Sequence, residues 1–300
     1  MRKSITAVFL VALVVGAVSA ARAQPVKLEY KFKENDLDQY KISMAMNLQM
    51  PSIPGGIIPP SLNMSVNSKM RQRVIAVNPD GSAKVRVRTG DFEMTAPGLQ
   101  MPKQNKSLES TVVVMTMTKD GRVLRVEGLE RGMGELAKLG FDPQTMLNQM
   151  AMTGVFPDKP VSVGDTWTQQ IPSPFGGGSF QITGTLLSYP DSLWGLKTAR
   201  IKYDMSGKMD LGDIMRSFGR MMASQPGSKE AEAMSSMSGE MSFAGSMVYD
   251  FATELGKLLN GSGTSNMQMA IQMPAQAVAQ GAPSQMNATA DMTMSITRFK

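Results

Sequence analysis

Lys41-Ile42-Ser43-Met44-Ala45-Met46-Asn47-Leu48-Gln49-Met50 places an apolar side chain at every even position and a polar or small one at every odd position. Successive side chains of a strand point to opposite faces, so this alternation predicts a strand that buries one face and wets the other, as in an antiparallel sheet. The same period runs outward in both directions. Val26, Leu28, Tyr30 and Phe32 alternate with Lys27, Glu29 and Lys31, which predicts an N-terminal strand. Residues 74–77 and 84–88 flank Asn78-Pro79-Asp80-Gly81, and residues 112–118 and 122–127 flank Lys119-Asp120-Gly121. Both read as hairpins, because Asn, Asp and Gly supply the turn conformations that β-branched residues resist. Residues 292–300 predict a closing strand.

Turn landmarks recur in order. The stretch 112–128 can be laid over 247–263 without a gap, bringing Gly121 onto Gly256 and Gly128 onto Gly263. Asn78-Pro79-Asp80 echoes Tyr189-Pro190-Asp191, and Pro51-Ser52 with Gly55-Gly56 echoes Pro172-Ser173 with Gly176-Gly177. The expected organisation is a first β module at 24–128, a helical connector at 129–154, and a second β module at 155–300 with a helical insertion at 213–239. Within the connector, Asp142 followed by Pro143 is a helix start, with Met146, Leu147 and Met150 on one face; residues 133–139 form a shorter helix. A further helix is expected over 213–222, and loops over 51–60 and 274–285.

Composition narrows the chemistry. Among 300 residues there are 29 methionines, no cysteine and no histidine. Without His there is no Ser-His-Asp triad and no His-ligated zinc site. The Gly176-Gly177-Gly178-Ser179 run lacks the Lys of a phosphate loop, and the acids Asp36, Asp38, Asp80, Asp120 and Asp191 fall in turns. The chain is read as non-enzymatic, with no cofactor. Asn35-Asp36-x-Asp38 lacks the spaced oxygen ligands of a calcium loop. The formal net charge of +6 is mild, Lys84, Arg86 and Arg88 alternate as on a solvated strand face, and aromatics make up 6% of the residues; nucleic acid is therefore discounted as a partner.

Residues 1–23 read as a secretory leader: Arg2 and Lys3, an apolar stretch over 7–18, then Ala21-Arg22-Ala23. The apolar stretch is shorter than the ~20 residues of a membrane span. The expected location is periplasmic or secreted, with no membrane span after cleavage, and stability without disulfides.

The methionines recur at every second position. Met44 with Met46, Met115 with Met117, Met267 with Met269 and Met292 with Met294 each set two thioethers on one strand face, about 6.8 Å apart. Three uses compete: filling a core, lining a pocket that adapts to acyl chains, or holding Cu(I). Copper carriers with Met clusters usually add a His or Cys. Trp167 is expected as the first inward residue of a strand that follows a turn at Gly164-Asp165, and Trp194 as an exposed turn residue.

The run Pro157-Asp-Lys-Pro160-Val-Ser-Val-Gly164-Asp165-Thr-Trp167 resembles the P-x-x-P-V-x-V-G-D-x-W signature of a family of uncharacterised secreted bacterial proteins. That family is similar in outline to the half-barrels of the periplasmic lipoprotein carriers, in which a concave apolar sheet closed by helices takes up acyl chains. With the alternation and the recurring turns, the expected fold is mainly β (α+β): two related curved antiparallel modules with a few packed helices, the second module being a departure from that group. The resemblance implies a lipid or other apolar ligand on a concave face, and the alternation makes Met44, Met46, Met115, Met117, Met267, Met269, Met292 and Met294 its candidate liners. The alternative expectation is a structural protein, or one that binds an envelope protein partner, whose methionines are simply core.

Overall fold

The computed structural model describes residues 24–51, 60–97, 112–128, 155–172, 179–212, 238–273, 275–279 and 283–299. The expected leader, connector, 213–222 helix and nearly all of the insertion lie outside these residues. Eleven strands are described: β1 (Leu37–Gln49), β2 (Ser61–Val77), β3 (Ala83–Thr95), β4 (Val112–Met117), β5 (Val123–Glu127), β6 (Thr166–Pro172), β7 (Ser179–Leu193), β8 (Leu196–Asp210), β9 (Ser238–Ala252), β10 (Lys257–Gln272) and β11 (Gln285–Phe299). Among the described residues one short helix, α1 (Ala275–Ala279), falls where a loop was expected. The fold class is mainly β. No described helix is long and apolar enough to cross a membrane.

All eleven strands belong to one antiparallel sheet in the order β5-β4-β3-β2-β1-β11-β10-β9-β8-β7-β6. The halves expected at 24–128 and 155–300 are thus a single sheet, joined where β1 pairs with β11 (Tyr40 opposite Arg298, Met46 opposite Met292). Each half is a meander. The tight turns at Asn78–Ser82, Lys119–Gly121, Trp194-Gly195 and Thr253–Gly256 all lie at one end of the sheet, and at each of the four a glycine or Trp194 takes a positive φ. The connections of β1 to β2, β3 to β4, β6 to β7, β8 to β9 and β10 to β11 leave from the other end.

Residues 26–32 alternate as expected but do not join the sheet. Val26 makes an isolated bridge with Val161, and Tyr30 and Lys31 donate backbone N–H groups to the carbonyls of Lys119 and Gly256. Together with residues 155–161 this segment lies over the tight-turn end of the inward face. Leu28, Phe156 and Val161 there pack with Leu186, Ile201, Tyr249, Phe251, Leu258 and Ile296. The rings of Tyr30, Phe156 and Phe251 meet at 4.7–5.5 Å, two of the contacts edge-on, a geometry that aromatic quadrupoles favour. A smaller cluster of Val74, Ala83, Val85, Met117 and Val123 continues this core toward β5.

Trp167 is inward on β6, as expected. Its indole N–H donates to the Val155 carbonyl at 3.0 Å, and its ring lies over Gly184, where an added Cβ would come within 2.3 Å of the indole. Glycine is needed there because the neighbouring strand's side chain occupies its face.

Three tyrosines are buried in this packed end, and burial is the main cause that raises the hydroxyl of each above its ordinary value of 10.0. Tyr40 donates to the Leu258 carbonyl and Tyr249 to the Met247 sulfur, while the Tyr203 hydroxyl has no partner. Above pH 10 the unfolded chain releases these protons and the folded chain holds them, so the unfolded state is favoured. Stability is expected to stay level through neutral pH and then to fall above about pH 10 by up to ~1.4 kcal/mol per pH unit for each tyrosine. Urea midpoints on either side of that pH check this; an unchanged midpoint would show that the rings are hydrated.

Candidate functional site

Pairing register decides which side chains share the inward face. Met44 lies between Val66 and Met294, and Met46 between Met64 and Met292. Met267 lies between Phe243 and Ala290, and Met269 between Met241 and Ala288. Met115 stands opposite Val85 and Val126, and Met117 opposite Ala83 and Val123. All eight methionines singled out from the sequence therefore point to one side of one sheet.

They do not share one environment. Met117 is buried at 8% exposure within the core cluster of β2–β5, while the other seven are half-buried. The largest fully buried side chains are Phe251, Leu28, Leu186, Ile201, Leu259 and Thr198, with no methionine among them. The inward face thus has two zones. The tight-turn end is a packed aromatic and aliphatic core beneath residues 26–32 and 155–161. The far end carries Met44, Met46, Met64, Met267, Met269 and Met292, and Met205 and Met294 lead toward it from the edge of the packed core; all eight are partly buried. Met115 sits at the margin of the β2–β5 core, packed against it.

Between the methionines of β1/β11 and those of β8, the cross-strand row passes through Ser265 and Gly245. These small residues keep the face low between taller thioether stems. A further cluster of Phe180, Met209, Leu211 and Met241, with Phe243, Met267, Met269 and Ile271 against it, bounds the zone toward β7. The inward positions of this zone on β1, β2 and β7–β11 carry no charged side chain. Such a surface offers dispersion contacts and adaptable shape, and neither proton transfer nor hydrogen-bond specificity.

Two recesses are centred outside this zone. One of about 380 Å³ is bounded mainly by Ala45, Asn47, Asn63, Ser65, Asp291 and Thr293, positions of the opposite, polar face. A space of about 40 Å³ beneath Tyr30, Phe32, Tyr40 and Val74 is too small for an acyl chain. Asp36 and Asp38, the acids of the Asn35 loop, hold cationic side chains: Lys257 lies 3.0 Å and 2.9 Å from them, and Arg298 lies 2.7 Å from Asp38. Their oxygens are committed to this network, which sequence reasoning missed because its partners lie far apart in the chain. Among the described residues no cluster of three or more His, Cys, Asp or Glu side chains could hold a metal ion.

The sequence matches no protein-family model and no curated protein. Among solved structures, one of lipovitellin concerned with lipid–protein interactions aligns over 90% of this chain, at 7% identity and a TM-score of 0.48. The chain spans about a quarter of that protein's length. DynF, from the dynemicin biosynthesis pathway of Micromonospora chersina, aligns over 91% of this chain and 86% of its own, at 8% identity and a TM-score of 0.20. Both TM-scores are below what a shared fold requires, so the functional reading rests on the chain's own residues.

Proposed function

We propose that this chain is an exported, non-enzymatic envelope protein that holds an apolar ligand, a lipid or acyl chain, on the methionine-lined half of its inward sheet face. The observation that carries the reading is the division of that face. A sheet whose methionines merely filled its core would bury them all; Met209, Met241, Met247 and Met286 are buried, but seven of the eight singled out are only partly buried, beside a closed end filled mainly by Leu, Ile, Phe and Tyr. Adaptable thioethers suit an occupant of irregular or variable shape. The leader pattern of residues 1–23 supports export.

Native mass spectrometry of the protein purified from its own compartment, followed by organic extraction, tests the reading. A discrete added mass that disappears on extraction, with a defined lipid recovered, supports it. A bare mass, with no fatty-acid probe retained on readdition, overturns it in favour of a structural or partner-binding role.

Substitution gives a second measure. Met46→Trp should block uptake of a fluorescent fatty acid with little change in the urea midpoint, because a half-exposed site can accept the ring. Met117→Trp enlarges a buried side chain and is expected to cost about 1–3 kcal/mol. Equal destabilisation by the two would mean that the face is filled.

A further inference from the structure

The face opposite the methionines carries a cluster of cations that the sequence shows only as separate alternating runs. Register brings them together across three adjacent strands. Lys41 on β1 stands opposite Lys69 on β2. Arg71 and Arg73 on β2 stand opposite Arg88 and Arg86 on β3. All six are exposed.

Like charges directly opposite one another destabilise a sheet, and little here relieves them. Asp91 pairs with Lys69 at 2.6 Å, and Glu127 reaches Lys84 at 4.0 Å and Arg125 at 3.2 Å. Arg71 donates through Nε to the Gln39 side chain at 3.1 Å. Among the described residues no carboxylate lies within ion-pair distance of Lys41, Arg71, Arg73, Arg86 or Arg88. The other half of the same face is built differently. There Arg200 stands opposite Asp250 and pairs with it, Lys202 pairs with Asp204, and Lys208 with Glu240. Edge protection does not explain the cluster either, since β2 and β3 lie inside the sheet.

We propose that the outer face of β1–β3 docks on an anionic phospholipid surface, its cations, five of the six without a paired carboxylate, meeting the headgroup phosphates. The cations form a two-dimensional lattice, with ~4.8 Å between strands and ~6.8 Å between alternate residues along them. A planar array of phosphates engages such a lattice across its whole width, whereas a nucleic-acid rod meets it along one line. Residues 69–73 and 84–88 contain no aromatic side chain, so the platform on which single-stranded bases stack is missing. Lys69 is paired with Asp91; the other five cations are still within the range of cluster sizes that reads as binding anionic lipid. This inference stands on charge placement alone and does not depend on the apolar-ligand reading.

Co-sedimentation with vesicles tests it, using one part phosphatidylglycerol to two parts phosphatidylcholine against phosphatidylcholine alone. Binding is expected only to the anionic vesicles and should weaken as salt rises. The double substitution Arg73→Gln with Arg86→Gln should weaken it about 25-fold, about fivefold per charge, and should leave the thermal midpoint unchanged or higher because a repulsive pair is gone. Lys41→Gln with Arg88→Gln should act the same way, and serves if the first variant folds poorly. Arg200→Gln on the paired half should bind as the parent does. Equal binding to neutral vesicles, undiminished binding by both double variants, or displacement from the vesicles by a lower concentration of duplex DNA phosphate than of lipid phosphate would each overturn the proposal.

Discussion

Asp38→Ala is expected to destabilise the protein by about 3 kcal/mol, the lower end of the range for breaking a buried ion pair. The carboxylate accepts from Arg298 Nε and Nη2 through one oxygen and from Lys257 Nζ through the other, at 2.7–2.9 Å. The side chains of Asp38, Lys257 and Arg298 are 12%, 14% and 19% exposed. Removing the acid leaves Arg298 without its carboxylate in a largely dry site. The cost stays at the lower end because Asp36 still reaches Lys257 at 3.0 Å. Asp36→Ala should cost less, since Asp36 is a third exposed and Lys257 keeps Asp38. The network matters for the fold because it ties β1, from the first half of the chain, to β10 and β11, from the second, at the seam that makes one sheet of the two meanders. Urea midpoints at low and high salt decide the matter. The loss should persist at high salt, where an exposed pair such as Lys208–Glu240 would be screened. A cost within 1 kcal/mol would show that the seam is held by strand pairing alone.

What the sequence made legible here is facing, and what it hid is depth and partnership. Alternation placed all eight methionines on one side, and Asn78-Pro79-Asp80-Gly81 and Lys119-Asp120-Gly121 mark hairpins because local backbone geometry needs those residues wherever the chain goes. The same alternation misassigned residues 26–32. A segment pressed against a sheet must also send alternate side chains inward, so the period reports contact with an apolar surface and not membership of the ladder. Nor does alternation distinguish Met117 from Met46. Their faces are equivalent, and what packs over each position decides which is buried: Met117 lies in the cluster beside Phe32, and Met46 does not. The Asp38–Arg298 pair and the opposition of Arg73 to Arg86 depend on register between strands, which no local pattern encodes.

Leu28→Ala tests that division of the inward face most directly, and its expected cost is about 2–5 kcal/mol, the range for emptying a fully buried leucine site. Leu28 has no exposed surface and is held from a segment with few sheet hydrogen bonds, so its side chain does much of the work of fixing residues 26–32 over β7–β10. Loss of that cover would also hydrate Tyr30, Phe156 and Phe251, which keeps the cavity from closing cheaply. Met292→Ala, on the same face but toward the far end, should cost about 1 kcal/mol or less, because a half-exposed thioether leaves a hollow that water already reaches. The two variants should separate in the opposite order when ligand is present. A fatty acid that binds only the folded chain raises its midpoint by mass action; that rise should survive Leu28→Ala, measured relative to the variant's own baseline, and shrink in Met292→Ala. If Met292→Ala instead costs as much as Leu28→Ala and no ligand shifts either midpoint, the methionine zone is packed core and the sheet carries no apolar site on that face.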